Sequence, residues 1–506
     1  MKRLLSLLLV IVMCCSVVVF ASAEVRRGGT IVIAKTAKLT SFNPAITSSR
    51  IEDGMVYRNL FSTLIEFDEA GMYAPGLAES WSFSDDGMTF TMKLRQGVTF
   101  HCGEPFNAKA VKANLDWALD PETAHVYLKS ELNNIESAEV IDEYTVALHL
   151  RNPDAALLSV FTGICGTMLC PDSLAKNDIT TNACGTGPFK LAEYVQGDHI
   201  TLVKNENYFE IGEDGKPLPY LDGVEYRLMT DDSVKTVNLQ SGDIHMVDYH
   251  TTGNSVLKCM KMDNVTTVKT NYCNTYFLCF NLNDERLSNP LVRQALSFAV
   301  NREELMEVCL EGLGTNYPFS AIPDNWFYSD YNPYSYNPEK AKQLLAEAGF
   351  ADGITLTLSY ISREPDATMC QLLQEQVKAS GITLNIEPLE RLAWIDLIKT
   401  NRSGELGIGV IAIQGLDPNQ QYNSTLAYCD PKCVTEIQEY LLSVKTVTDI
   451  ETRKEMLAKY QQMYLDDALY VILGQNPRYV SINNRLNGIV FRPDGSHKLA
   501  GAYFAE

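Results

Sequence analysis

PEKAKQLLAEAGFADGITLTLSY, residues 338–360, holds a helix, its stop and a strand in one short run. Pro338 supplies the fixed φ of a first helical turn, Leu344, Leu345 and Ala348 fall on one face, and Gly349 ends the run. Residues 354–360 are then apolar and β-branched, as a strand requires. The alternation continues downstream, with a helix over 367–380, a strand over 383–388, a helix over 391–400 and an apolar strand over 406–412. Strands separated by helices of roughly 10–15 residues predict an α/β lobe.

Working outward, residues 289–299 and 302–310 read as consecutive helices, and helices also start at Thr435 and Ile450. A strand pair near 470–482 is expected to close the chain. The first half is different. Residues 30–35 and 89–94 read as strands, 50–60 as a helix, and 107–118 as a helix capped by Asn107. Two strand pairs follow, 137–150 turning at Asp142-Glu143 and 189–204 turning at Gln196-Gly197-Asp198. The expectation is a mixed α+β first half joined to an α/β second half.

At about 150 residues per domain, 506 residues suggest three domains' worth of structure. Hydrophobic residues make up 46%, enough for large cores, which excludes disorder as the main theme. The net charge is -21, so the basic footprint needed to bind nucleic acid is missing. Lys2-Arg3, an apolar run over 4–20 and Ala21-Ser22-Ala23 have the layout of a secretory leader cleaved after Ala23. A retained membrane anchor is the alternative. Lipidation at Cys14 or Cys15 is not expected, because no small residue precedes either cysteine suitably. No other stretch approaches 18 uncharged apolar residues, so a soluble mature chain is expected.

Of 13 cysteines, 11 lie beyond residue 23, an odd number that leaves at least one unpaired in a monomer. Cys429 and Cys433 flank Asp430-Pro431, whose turn chemistry suits a local disulfide. A zinc site there lacks a second nearby pair of ligands. The other cysteines, such as Cys279 in Phe277-Leu278-Cys279-Phe280, mostly read as small buried side chains. Enzyme signatures are missing: no G-x-S-x-G, no H-E-x-x-H and no phosphate loop. His245 and His250 lie five apart across a strand end and are expected to point to opposite faces. No metal site and no cofactor is expected.

Two loops stand out. Ser41-Phe42-Asn43-Pro44 leaves the first strand, where binding residues tend to sit. Gly185-Thr186-Gly187-Pro188-Phe189 sets two glycines before a strand, which suits either a tight contact between segments or a backbone approach to ligand.

The motifs in order resemble the family 5 extracellular solute-binding proteins, the peptide- and nickel-type receptors of ABC importers. They are Gly76-Leu77-Ala78-Glu79-Ser80-Trp81, Leu94-Arg95-Gln96-Gly97-Val98-Thr99-Phe100-His101, Gly103-Glu104-Pro105-Phe106, the Gly185–Phe189 run and Asn205-Glu206-Asn207-Tyr208-Phe209. Val292-Arg293-Gln294-Ala295-Leu296 and Tyr336-Asn337-Pro338-Glu339-Lys340-Ala341 continue the resemblance, which spans nearly the whole mature chain. It implies a mixed α/β (α+β) two-lobed periplasmic-binding-protein clamp, type II-like, with an extra α+β domain. The implied division is a leader over 1–23, a discontinuous lobe I over 24–70, 188–283 and 475–506, an extra domain over 71–187 and a lobe II over 284–474.

What the resemblance implies for function is binding without catalysis. A small peptide or peptide-like solute is held between lobes and delivered to ABC permease subunits by a monomeric periplasmic receptor. A nickel-chelate or oligosaccharide receptor of the same fold stands as the alternative, and an exported peptide-holding chaperone or hydrolase as the reading from another class. The family's peptide receptors place an Asp four residues before the proline of an Asp-Pro step. In this chain the step is Asp417-Pro418, and the position holds Gln414. Its metal-chelate receptors have an aromatic just before the step, where Leu416 stands, and an arginine in the first half whose place falls near Thr167. Ala45, Ser48 and Arg50, beyond the first strand, fall where family members contact ligand. The candidate ligand-binding set is therefore Ala45, Ser48, Arg50, Thr167, Gln414, Leu416 and Asp417.

Overall fold

The computed structural model describes residues 25–46, 50–68, 71–120, 122, 125–323, 325–413, 419, 433–492 and 494–505. The leader and residues 414–418 lie outside them. A ten-stranded mixed sheet runs through the molecule. Its strands, in chain order, are β1 (Thr30–Lys35), β2 (Phe189–Val195), β3 (His199–Lys204), β4 (Gly223–Leu228), β5 (Met246–Val247), β6 (Val265–Phe280), β7 (Ile354–Ile361), β8 (Ile382–Leu389), β9 (Leu406–Ile413) and β10 (Tyr470–Asn483). The order across the sheet is β8-β7-β9-β6-β10-β5-β1-β4-β3-β2.

The architecture is a two-lobed clamp, and β6 and β10 belong to both lobes. Residues 265–269 pair with 479–483 on the lobe I side, and 273–279 pair with 470–477 on the lobe II side, with a register break between Lys269 and Cys273. Thr270, in that break, donates from Oγ1 to the Arg478 carbonyl at 3.1 Å. Beyond β10 lie β5 and β1, the latter parallel to β4, which continues into the antiparallel β3 and β2. Beyond β6 lies β9, then β7 and β8 in parallel, joined by the helix Asp366–Lys378. This is the predicted strand–helix alternation. The opening helix forms at Pro338–Glu347, with the Asn337 side chain accepting from Lys340 N and Gly349 at φ 92°.

The expected closing strand pair is instead one strand, β10. Its run Tyr470–Asn483 stays extended through Gln475-Asn476-Pro477-Arg478, and a register shift opposite Tyr276/Phe277 leaves Leu473 unpaired beside Gly474, at φ 150°, as a bulge. The helix expected over 391–400 is an α-turn, Arg391–Ile395, that widens into a π-turn at Asp396–Thr400.

Hydrophobic packing gathers into separate cores. One joins β6, β7, β8, β9 and β10 to the lobe II helices around Leu296, Leu358 and Tyr464. A second packs β1, β3 and β4 with Val56, Leu60 and Leu499. A third fills a four-stranded antiparallel sheet, ordered Ala78–Phe83, Thr89–Leu94, Thr145–Leu150, Ile135–Asp142, under the helix Ala108–Leu119. Asn107 caps that helix as expected, accepting from Lys109 N at 3.0 Å and Ala110 N at 3.2 Å. The four-stranded unit also touches lobe II: Asp154 pairs with Lys445 at 2.8 Å, and Ala155 N donates to the Lys445 carbonyl at 2.9 Å. Among the described residues, no helix is long and apolar enough to cross a membrane.

Candidate functional site: the cleft at the hinge strands

Where β6 and β10 pass between lobes, a cleft of about 980 Å³ opens. Its floor is Tyr272 and Asn274 of β6 with Asn476 to Tyr479 of β10; one wall is the 249–253 loop of lobe I, and the other is Leu310, Glu311 and Glu364 of lobe II. It holds both polar and apolar groups, as a site for an amphipathic solute must.

The lobe I wall is fixed by an ion pair beneath it. Asp232 opens the helix Asp232–Ser241 and accepts through Oδ2 from Thr251 N at 2.8 Å and Thr252 N at 2.9 Å. Lys235, one helical turn on, is fully buried and donates to Asp232 Oδ1 at 2.8 Å, to the Tyr249 carbonyl at 3.0 Å and to Thr36 Oγ1 at 2.7 Å. Burial opposes the Asp232 charge, but Lys235 and the loop amides outweigh it and hold the carboxyl below its ordinary range. The loop is thus positioned before any ligand arrives.

Arg478 is the floor's cation. It is 4% exposed and donates from Nε at 2.9 Å and Nη2 at 2.8 Å to the Asp248 carbonyl. Its guanidinium lies 4.9 Å from the Tyr249 ring centroid, a cation–π contact that holds the fork flat. No hydrogen bond engages Nη1 among the described residues, so this atom is available to a carboxylate or carbonyl. Beneath it, the Asp248 carboxylate is fully buried with neither oxygen hydrogen-bonded; burial pushes its pKa up, against the pull of Arg478 and Lys35.

Lobe II supplies the opposite charge. Glu364 accepts through Oε2 from Thr368 Oγ1 at 2.8 Å. The Glu311 carboxylate reaches across to lobe I, where a Cβ on Gly253 would stand only 3.0–3.1 Å from its atoms. Gly253 therefore lets the two lobes approach at this point. On the lobe II half of β10, Gln475 ties the 315–319 segment, donating to the Tyr317 and Phe319 carbonyls at 3.1 Å each and accepting from Tyr317 N at 2.8 Å.

His250 lies in the lobe I wall with Nε2 2.8 Å from Ser481 Oγ. Burial pushes its pKa down to about 4, and His101 and His497 are likewise pushed down to about 4 and about 3. An unfolded histidine takes its proton near pH 6.5, while these three stay neutral in the fold. The unfolded state then binds more protons between about pH 6.5 and 4, so stability falls as pH falls through that window. For His250 the loss approaches about 3 kcal/mol at full effect. Urea midpoints at pH 7.5 and 4.5 should differ in that direction, and a His250→Gln variant should lose part of the difference. Equal midpoints would remove the histidines as the cause.

The sequence-based residues sit differently. Ala45 is buried in the turn Pro44–Ile46, and Thr167 follows the turn Ile164–Gly166. The two line one recess of about 370 Å³ with Trp117 and Met168, and this recess shares no lining residue with the hinge cleft. Arg50 begins the helix Arg50–Leu60. Ser48, Gln414, Leu416, Asp417 and Cys429 lie outside the described residues. His245 and His250 do separate: His245 Nδ1 accepts from Val32 N at 2.9 Å, away from Ser481. The Gly185–Phe189 run is a contact between segments, since a Cβ on Gly187 would stand 2.4 Å from Leu60 C. Sequence reasoning missed the cleft floor. Its signal was a polar run, Gln475, Asn476 and Arg478, following four apolar residues of the strand.

Comparison with known proteins supplies the rest. The description "Bacterial extracellular solute-binding proteins, family 5 Middle" matches residues 72–431. The glutathione-binding protein GsiB of Salmonella typhi is 31% identical over 363 residues, covering 71% of this chain and 69% of that one. GsiB of Escherichia coli O1:K1 / APEC is 26% identical over 491 residues, covering 94% and 93%. Among solved structures, HbpA2 from Haemophilus parasuis superposes with a TM-score of 0.85 at 21% identity, covering 94% of this chain and all of that one. The periplasmic binding protein DppA from Helicobacter pylori, solved with the peptide STSA, gives 0.73 at 25% identity, covering 95% and 99%.

Proposed function

Because the chain belongs to the family 5 bacterial extracellular solute-binding proteins, we propose that it captures a short peptide or peptide-like solute in the hinge cleft and delivers it to the permease of an ABC importer. The observation that carries this reading is the cleft's charge layout. Arg478 on the floor offers a cation to a ligand carboxylate, and Glu311 and Glu364 on lobe II offer anions to a ligand ammonium. Those are the two ends of a zwitterionic peptide. The relatives named for glutathione and the neighbour holding STSA support the same ligand class.

Capture of this kind makes and breaks no covalent bond, so the reading is of a receptor and not an enzyme. Closure expels water from the cleft, and each polar group it buries must find a partner on the ligand. The lobes then turn about the register break at residues 270–272, where pairing between the long strands is interrupted. Delivery in the periplasm, after cleavage behind Ala23, and action as a monomer belong to the proposal, as does a lobe division that runs through β6 and β10 and not at residues 283 and 475, since 276–280 pack in the lobe II core. Gln414, Leu416, Asp417 and Ser48, outside the described residues, are proposed to complete the site with Arg50, the first residue of its helix.

Thermal unfolding of ligand-stripped protein tests the proposal. Di- to hexapeptides and glutathione should raise the transition, since ligand at a hundred times its dissociation constant adds about 2.7 kcal/mol. A rise with metal chelates or oligosaccharides alone would replace the peptide reading with another solute class. Hydrolysis of a bound peptide would replace the receptor reading itself.

A further inference from the structure

We propose that Cys102, Cys170 and Cys184, with the Glu104 carboxylate, bind one thiophilic divalent cation, zinc being the fitting example. The three Sγ atoms lie within 4.8 Å of one another, and those of Cys102 and Cys170 are 3.4 Å apart. Sulfurs around a tetrahedral zinc, with Zn–S near 2.3 Å, stand about 3.8 Å apart. Drawing these thiolates onto one ion therefore needs only small side-chain adjustments.

The backbone holds the three sulfurs where they are. Cys170 N donates to the Cys184 carbonyl at 3.0 Å, and His101 N donates to the Gly185 carbonyl at 2.8 Å. Three segments distant in sequence are brought together by these bonds, so the geometry does not wait for the ion. Glu104 can supply the fourth ligand: its Oε2 accepts from Cys170 Sγ at 3.5 Å, and although it lies outside the cluster of the three sulfurs, a turn of its side chain would bring it onto the ion. His101 is not that ligand, because its Nε2 faces the Gly187 carbonyl at 3.1 Å and its Nδ1 faces Gly185 N at 3.3 Å. Cys102 is exposed while Cys170 and Cys184 are buried, which gives an ion a way in and a dry side to rest against. A disulfide between Cys102 and Cys170 would leave Cys184 and the carboxylate without a task; one cation uses all four groups.

The ion's effect follows from where the ligands sit. Cys102 and Glu104 belong to the loop beside the four-stranded sheet, and Cys184 leads into β2. Cys170 and Cys184 pack in the core of that same unit, so a cation would tie its 102–104 loop to the segments that lead back towards β2, as a closed zinc site fastens loops elsewhere.

The test uses the full mature chain, reduced and then equilibrated with zinc. Expected are one zinc per chain after gel filtration, a thiolate-to-metal charge-transfer band on cobalt substitution, and a higher unfolding temperature with zinc. Cys102→Ser should bind at least tenfold more weakly and lose the thermal shift. Cys184→Ser should do the same, and Cys433→Ser should keep both. Absence of stoichiometric zinc from the reduced wild type overturns the proposal. So does zinc retained equally by the Cys102→Ser and Cys184→Ser variants.

Discussion

An Arg478→Lys variant is expected to bind its peptide ligand about 10- to 100-fold more weakly while folding at nearly the wild-type temperature. Lysine keeps a cation above the buried Asp248, so the fold retains the charge that offsets that carboxylate. What it loses is the planar fork, whose Nε and Nη2 bind the Asp248 carbonyl while Nη1 stays free for ligand. A charge-assisted hydrogen bond is worth about 1.5–3 kcal/mol, which gives the stated range at about 1.4 kcal/mol per tenfold. Arg478→Met should lose as much affinity and also lower the unfolding temperature, because Asp248 then sits closer to uncompensated. Calorimetry with a peptide found in the thermal screen reads the first effect. Wild-type affinity in the lysine variant would take Arg478 out of the site.

Gly187→Ala should be among the most destabilising single methyl additions to this chain. The new Cβ would meet Leu60 C at 2.4 Å, Leu60 O at 2.6 Å and Phe61 N at 2.7 Å, all backbone. Gly187 N also donates to the Leu60 carbonyl at 3.0 Å, so the two segments cannot part without losing that bond. A cost of about 3 kcal/mol or more is expected, at or above the upper end of ordinary overpacking. Gly197→Ala is the matched control. It lies in open space at φ 86°, so only the left-handed strain of about 1 kcal/mol applies. Denaturant midpoints for the two variants separate crowding from conformational strain, and equal losses would sink the argument from contact.

What could be read in the sequence was local. Asn107 and Asn337 cap helices where expected, and the hairpin over 189–204 turns at its Gly197. Those features depend on neighbours a few residues apart. The site depends on pairs that are far apart: Asn274 faces Asn476 across the hinge strands, and Cys102 meets Cys170 and Cys184. A single chain read in order shows each of these as an isolated polar or sulfur-bearing residue. β10 was misread as two strands for a related reason. Pairing along most of β6 keeps the β10 polar run Gln475 to Arg478 extended, where the sequence alone suggests a break. The family resemblance reached the two-lobed clamp and the solute-binding class, while Gln414 and Asp417, which it singles out, lie outside the described residues.

The place of β10 in the sheet also constrains the order in which this protein can assemble. The strand lies between β6 and β5, so it joins the two halves of the sheet, yet it follows the other nine strands of that sheet in the chain. A chain emerging amino-terminus first exposes two half-sheets, each with an open edge where β10 will fit. Until residues 470–483 arrive, those edges can pair with other chains, and the clamp has no floor on which to hold anything. Folding of the receptor is therefore tied to synthesis of residues 470–483: a copy ended before them is a sticky fragment and not a weak receptor.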